Sequence, residues 1–219
     1  MRFRIDLKIF ILIILFYFTS QVQMYAMIMI FALIHEIGHL LSGILLGMKA
    51  EKLEILPYGI GVSFKILPKD YNKKIIKGNY LEIKKILVAL AGPITNLILI
   101  ILISKLNINL YLKQTMIYTN ILLIIFNLIP IYPLDGGRIL KCILHIFFGK
   151  QKSEKYINNI SFIILIILTL ISSIGIYIAK NIAIFIIIII LWGIFIKEDL
   201  IYRKKNKIYK ILKKTIEIK

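Results

Sequence analysis

Residues 24–47 read M-Y-A-M-I-M-I-F-A-L-I-H-E-I-G-H-L-L-S-G-I-L-L-G. A helix that crosses the ~30 Å hydrocarbon layer needs about 20 mostly apolar residues, because each adds only about 1.5 Å of rise. This run meets that length, yet it carries His35, Glu36 and His39 in its interior. An ionised side chain at the bilayer centre costs about 2.5–3.5 kcal/mol on insertion scales, so Glu36 requires a partner. No Lys or Arg lies between Lys8 and Lys49 to provide one. The spacing does: residues four apart on a helix differ by only ~40° of rotation and ~6 Å of rise, so His35 and His39 can bind one ion from the same face. Glu36 lies beside that face, within reach of water polarised by the ion, as a general base. Scattering three His and eleven acids at random over the chain gives roughly 0.002 expected H-[DE]-x-x-H matches, so chance is a poor explanation.

Working outward, 59% of the 219 residues are hydrophobic and mean hydropathy is +0.87. An ordinary soluble domain has about 45–50% apolar residues, so that class is excluded. One cysteine, Cys142, rules out a disulfide framework, and nothing points to a Cys-ligated metal. Six apolar segments are read as spans: Leu7 to about Val22, Met24–Gly47, Ile83–Ser104, a run from Thr115 interrupted by Pro130 and Pro133, Ile157–Ala179, and Ile182–Ile196, the last two joined by a turn at Lys180 and Asn181. The first also has the basic start and short apolar core of a signal peptide, but Thr19–Met24 offers no small-x-small cleavage site and the second run begins at once.

The formal charge of +18 is consistent with nucleic acid or with a membrane surface, and position separates the two. The amino terminus through Lys8 holds three Lys or Arg, nine lie at 49–85, five between Arg138 and Lys155, and nine after Ile196, which leaves only Lys105, Lys113 and Lys180. That division is what the positive-inside rule gives for an even number of spans with both termini in the cytoplasm. The charge is topogenic, the basic tail suits anionic lipid, and no direct nucleic-acid partner is expected. The fold class expected is therefore an all-α polytopic membrane protein, a six-helix bundle. A transmembrane domain would occupy residues 1–196, its core about 24–148, and a basic cytoplasmic tail 197–219. The segment Lys52–Lys65 mixes β-formers with Pro57, Gly59 and Gly61 and reads as a short hairpin or re-entrant edge at the membrane.

A hydrolytic zinc usually has three protein ligands plus water, so a third ligand must come from elsewhere in the chain. Asp135, in I-P-I-Y-P-L-D-G-G-R at 129–138, is the natural candidate: prolines break the apolar run there, and irregular backbone at such depth survives only where it lines a cavity. With Glu36 and Asp135 ionised, one Zn²⁺ leaves the group formally neutral. His145, ten residues on in an amphipathic stretch that also holds Lys141, is the rival ligand. A-G-P-I-T-N at 91–96 supplies small residues for close helix approach and an amide, Asn96, for a hydrogen bond within the bundle. Asn127, eight residues before Asp135, could hold a substrate carbonyl, although interhelical bonding explains either Asn equally well.

The three motifs H-E-I-G-H, A-G-P-I-T-N and N-L-I-P-I-Y-P-L-D-G-G-R, in that order across about residues 25–145, resemble the site-2 protease type of intramembrane zinc metalloproteases. The resemblance implies His35, His39 and Asp135 as ligands of one Zn²⁺ and Glu36 as the residue that activates water. It also places Asn127 and Pro133 near the substrate. Small size and the lack of a PDZ insertion resemble the sporulation branch, whose members cleave an inactive sigma-K precursor. That implies a mother-cell membrane around the forespore, a membrane-associated protein substrate and inhibitory membrane partners. Better known relatives carry a nucleotide-binding CBS domain after the last span; about 23 residues follow Ile196 here, so ATP regulation is not carried over. Processing of another membrane-anchored regulator and a non-catalytic metal-binding scaffold are the alternatives. A scaffold zinc would usually want four protein ligands, where three are in view. A transporter built on broken helices would share the prolines but lacks inverted repeats.

Overall fold

The structure, a computed structural model, describes residues 2–5, 22–56, 59–65, 74–179 and 182–217. The expected first span at Leu7 to about Val22 and the turn at Lys180 and Asn181 lie outside the described residues, save Val22, which opens a helix. The chain divides into two compact units, residues 1–129 and 130–219.

The first unit contains β1 (Arg2–Ile5), α1 (Val22–Leu45), β2 (Lys49–Leu56), β3 (Gly59–Lys65), α2 (Lys74–Lys105) and α3 (Leu110–Leu128). α1 is the quoted run, helical for 24 residues because nothing in it breaks the hydrogen-bond ladder. It packs on both α2 and α3. Their shared core is Phe31, Ile103 and Leu123, with Met27, Leu99 and Met116 packed against it. Small residues set the helix approach: a methyl group on Gly38 would run into the Thr95 side chain, and one on Gly43 into the Phe64 ring of β3. Close approach through small side chains is the usual solution where lipid supplies no hydrophobic drive between helices.

The three strands form one sheet in the order β1-β2-β3. β1 lies parallel to β2, with Arg2 opposite Lys52 and Ile5 opposite Ile55. β2 and β3 pair antiparallel from Lys49 opposite Lys65 to Leu56 opposite Gly59, with an irregularity in register between Ala50 and Lys52. The strand at Arg2–Ile5 was not anticipated: R-F-R-I has the two-residue alternation of a strand but is short enough to read as a basic flank.

α3 opens on Asn109, whose Oδ1 accepts the Tyr111 N–H at 2.9 Å. It closes at Ile129, which takes an extended conformation (φ −58°, ψ 129°), as a residue before proline must when the ring of Pro130 excludes the helical one. The interrupted fourth run is thus one helix that stops, a turn, and a separate short helix.

The second unit contains α4 (Asp135–Phe148), α5 (Lys150–Ala179) and α6 (Ile182–Glu217). α4 packs on α5 and α5 on α6. Gly149, at φ 79°, turns the chain between α4 and α5, a left-handed conformation that glycine adopts without penalty. Trp192 of α6 meets Phe162 of α5 and its own helix's Phe195 edge to face, and its Nε1 donates to Thr169 Oγ1 at 3.0 Å. α6 runs unbroken for 36 residues, so the last apolar segment and the basic stretch after Ile196 are one helix.

The distribution of polarity runs opposite to that of a soluble protein. Ile30, Leu41, Leu102, Ile125 and Leu170 are all more than half exposed, whereas His35, His39, Asn96, Asn120 and Asp135 are each at most 4% exposed. Apolar side chains turned outward over that extent need lipid around them. Among the described residues three helices are long and apolar enough to cross a bilayer: Gln23–Leu45, Asn79–Lys105 and Lys150–Ile174.

Candidate metal centre

The two histidines of the first motif stand one turn apart on α1, both buried. Their Nε2 atoms approach to 3.1 Å, with the rings nearly perpendicular at 87°. Two imidazoles at about 2.0–2.1 Å from a tetrahedral zinc have their nitrogens about 3.3 Å apart, close to the observed separation. The tautomer of His39 is fixed from behind. Its Nδ1 lies 2.6 Å from the Val88 carbonyl oxygen of α2, which can only accept, so Nδ1 carries the proton and Nε2 keeps its lone pair for a metal.

Gly92 is what lets the rings sit there. A Cβ built on it would collide with Nε2 of both histidines and with Cε1 of His39. The cradle is thus made by the absence of one methyl group, on the turn of α2 that follows Val88. Pro93 comes next and α2 continues through it. Proline offers no N–H, so one carbonyl of the preceding turn loses its helical donor.

Asp135 is the first residue of α4 and is 4% exposed. Arg138 Nη1 stands 3.7 Å from its Oδ1, a loose ion pair, and the Arg138 N–H donates to the Leu134 carbonyl at 2.8 Å. Among the described residues His35, His39 and Asp135 are buried side chains of the types that hold a metal ion. His145, the rival ligand, lies on α4 and is not in that group. Two imidazole nitrogens and a carboxylate, all buried, are the donor set of a zinc site with a fourth position open, so the residues present fit one Zn²⁺. Glu36, half-buried, follows His35 directly on α1.

The residues expected near a substrate differ in state. Asn96 is fully buried, one turn beyond Gly92 on α2, and neither of its amide atoms has a hydrogen-bond partner among the described residues. The interhelical bond expected of it is therefore not seen there. Asn127 is half-buried and its Nδ2 donates back to the Leu123 carbonyl of its own helix at 3.1 Å. Pro133 is half-buried and follows Tyr132 through a cis peptide bond. Sequence reasoning missed the Val88 carbonyl, for which no side-chain signal exists, and the contact made by Gly92, although the small residues of A-G-P-I-T-N announced a close approach of some kind.

Residues 104–171 match Peptidase family M50, a segment that contains Asn127 and Asp135 but not the two histidines. The chain is 33% identical over 144 residues, 63% of its own length, to the zinc metalloprotease MJ0392 of Methanocaldococcus jannaschii. It is 23% identical over 137 residues, 61% of its length, to stage IV sporulation protein FB of Bacillus subtilis. The matched regions span only 39% and 43% of those two relatives. Among solved structures the site-2 protease from Methanocaldococcus jannaschii shares the fold, with a TM-score of 0.65 at 24% identity over 89% of this chain and 88% of that one. Taken with the order of H-E-I-G-H, A-G-P-I-T-N and P-L-D-G-G-R along the helices, these matches make the chain similar to Peptidase family M50 over residues 104–171 and similar in fold to a site-2 protease.

Proposed function

We propose that the chain is an intramembrane zinc metalloendopeptidase that hydrolyses a peptide bond close to the cytoplasmic boundary of the membrane. The observation that carries this is the convergence of the His35 and His39 Nε2 atoms over Gly92, with His39 locked in the ligating tautomer by Val88. His35, His39 and Asp135 would hold the ion. When bound, Zn²⁺ polarises the scissile carbonyl and lowers the pKa of water into the neutral range. The Glu36 carboxylate takes a proton from the attacking water and delivers it to the nitrogen of the leaving amine as the C–N bond breaks. Asn127 and Asn96 supply amides for the backbone of the substrate, and Pro133 shapes the wall beside it.

A peptide bond within a formed helix is shielded, so the substrate must be extended at the point of cleavage. β2 is the middle strand and β3 is an edge, so an extended segment can add to Gly59–Lys65 by backbone pairing, with the β2–β3 hairpin placed at the membrane edge. The topology in this proposal has six spans with both termini in the cytoplasm, a transmembrane domain to residue 196 and a basic helical tail against anionic lipid. The similarity to stage IV sporulation protein FB supports processing of a sigma-factor precursor during sporulation, with inhibitory membrane partners and a location in the membrane around the forespore. A second reading is favoured by the greater identity to a relative described only as a zinc metalloprotease: the substrate is then another membrane-anchored regulator.

Co-expression with a sigma-factor precursor bearing an amphipathic pro-segment, and in parallel with a membrane-anchored regulator, tests both readings by the size of the product. H35A, E36Q and D135N should each abolish cleavage while the protein stays in the membrane. Cleavage retained by E36Q removes the proposed base.

A further inference from the structure

Pro130 and Pro133 flank the turn that delivers Asp135, and neither has an N–H. A turn so depleted of backbone donors has little means of fixing itself and must be held by side chains around it. One internal bond remains, from the Leu134 N–H to the Ile131 carbonyl at 2.8 Å. Among the described residues, α4 and α5 supply further contacts that hold the turn. The Tyr132 N–H donates to Ser161 Oγ at 3.1 Å, a hydroxyl 1% exposed on α5. Lys141, two turns into α4, lays its ammonium over the Tyr132 ring at 4.1 Å from the centroid. Gly137 lies so close beneath that a methyl group would strike the backbone of Ile131 and Tyr132, and Ile131 is wholly buried.

Lys141 is an odd choice for a packing residue. It lines a small cleft with Tyr132, Glu154, Ser161, Glu198 and Lys205. Burial pushes its pKa below the usual lysine value, opposed chiefly by the Glu154 carboxylate. A leucine would fill the same space without that cost. What a leucine lacks is the attraction of a cation for an aromatic face, directional and strengthened where water is excluded.

We propose that Lys141, Tyr132 and Ser161 form a clamp that positions Asp135 for the metal. The three are positioning residues: the ammonium holds the ring, the hydroxyl holds the backbone, and the carboxylate follows three residues later at the start of α4. This rests on the proposal that Asp135 is a metal ligand. Partners that orient a ligand from behind are commonly worth 10–100-fold in metal affinity.

The test uses the full chain in detergent micelles with two readouts. One is amide hydrogen exchange of residues 129–138 in metal-free protein; the other is the Zn²⁺ dissociation constant by chelator competition. K141M and Y132L should each accelerate exchange in that segment, leave α1 unchanged, and weaken Zn²⁺ binding about 10-fold or more. The double variant should be no worse than either single one, because both remove one interaction. K141R and Y132F should behave as wild type, and S161A should accelerate exchange at Tyr132 above all. The inference is overturned if K141M leaves exchange at wild-type rates, if exchange rises but Zn²⁺ affinity does not fall, or if K141R is as weak as K141M. A wild-type chain that binds no Zn²⁺, with K141M still accelerating exchange, sinks the metalloprotease proposal and the link to metal while leaving the clamp itself in place. Should Y132L fail to fold, the K141M and K141R pair carries the test alone.

Discussion

Replacing Gly92 by alanine changes one atom and tests the geometry of the centre. The new Cβ would point at Nε2 of His35 and Nε2 and Cε1 of His39, closer than real Cβ contacts are ever found. To reach an ordinary carbon contact of about 3.5 Å the rings would have to retreat by ~1 Å. They have little freedom to do so, since His39 is tied to Val88 at 2.6 Å and both rings spring from the same helix face. Zinc sites tolerate about 0.2 Å in ligand distance, and a 1 Å misplacement of a catalytic group can cost about 100-fold in rate. G92A should therefore lose at least about 100-fold in Zn²⁺ affinity, equivalent to about 2.7 kcal/mol. Helix propensity pulls the other way: Ala is better than Gly in a helix interior by roughly 0.5–1 kcal/mol, so α2 itself should not be weakened. Chelator competition on the purified chain gives the affinity, and far-UV circular dichroism after heating gives the helix stability. A G92A protein that binds Zn²⁺ and cleaves like wild type would refute the close approach of Gly92 to the imidazoles.

G137A places its methyl group against the backbone of Ile131 and Tyr132, which cannot rotate away, so it should displace the turn before Asp135 and lower bound zinc below one ion per chain, read by elemental analysis. G43A meets the Phe64 ring instead, so it should destabilise the packing of β3 on α1 by about 1–3 kcal/mol with zinc content unchanged, visible as a lower unfolding temperature. E36Q keeps all three proposed ligands, so it should retain one zinc per chain while cleavage falls by at least about 100-fold. Incubation of the wild-type enzyme with a strong chelator should stop cleavage, and Zn²⁺ added back should restore it; activity indifferent to the chelator would separate hydrolysis from the metal.

The first motif was legible because two histidines four apart on a helix share a face whatever the surroundings, and an apolar run free of Lys and Arg leaves Glu36 little else to answer to. Asp135 was legible for a related reason: prolines and glycines at membrane depth make sense only around a cavity. The arrangement behind these residues was not readable. Val88 contributes a backbone carbonyl, which every residue has, and Gly92 contributes a missing methyl group whose meaning depends on which helix lies opposite. Lys141 stood in the sequence only as one member of an amphipathic stretch, and its role depends on the Tyr132 ring that lies beneath it. The strand at Arg2–Ile5 went unread because a four-residue alternation has no significance until β2 is beside it, and α6 outran its apolar segment because a charged helix can continue into water where a span stops.

X-ray absorption at the zinc edge on the purified wild-type chain and on D135N addresses the centre directly. The account predicts one zinc per wild-type chain, coordinated by two imidazole nitrogens at about 2.0–2.1 Å and by oxygen, with D135N losing the oxygen ligand or the ion. A wild-type spectrum with sulfur or three imidazoles, or a D135N spectrum identical to wild type, would contradict it.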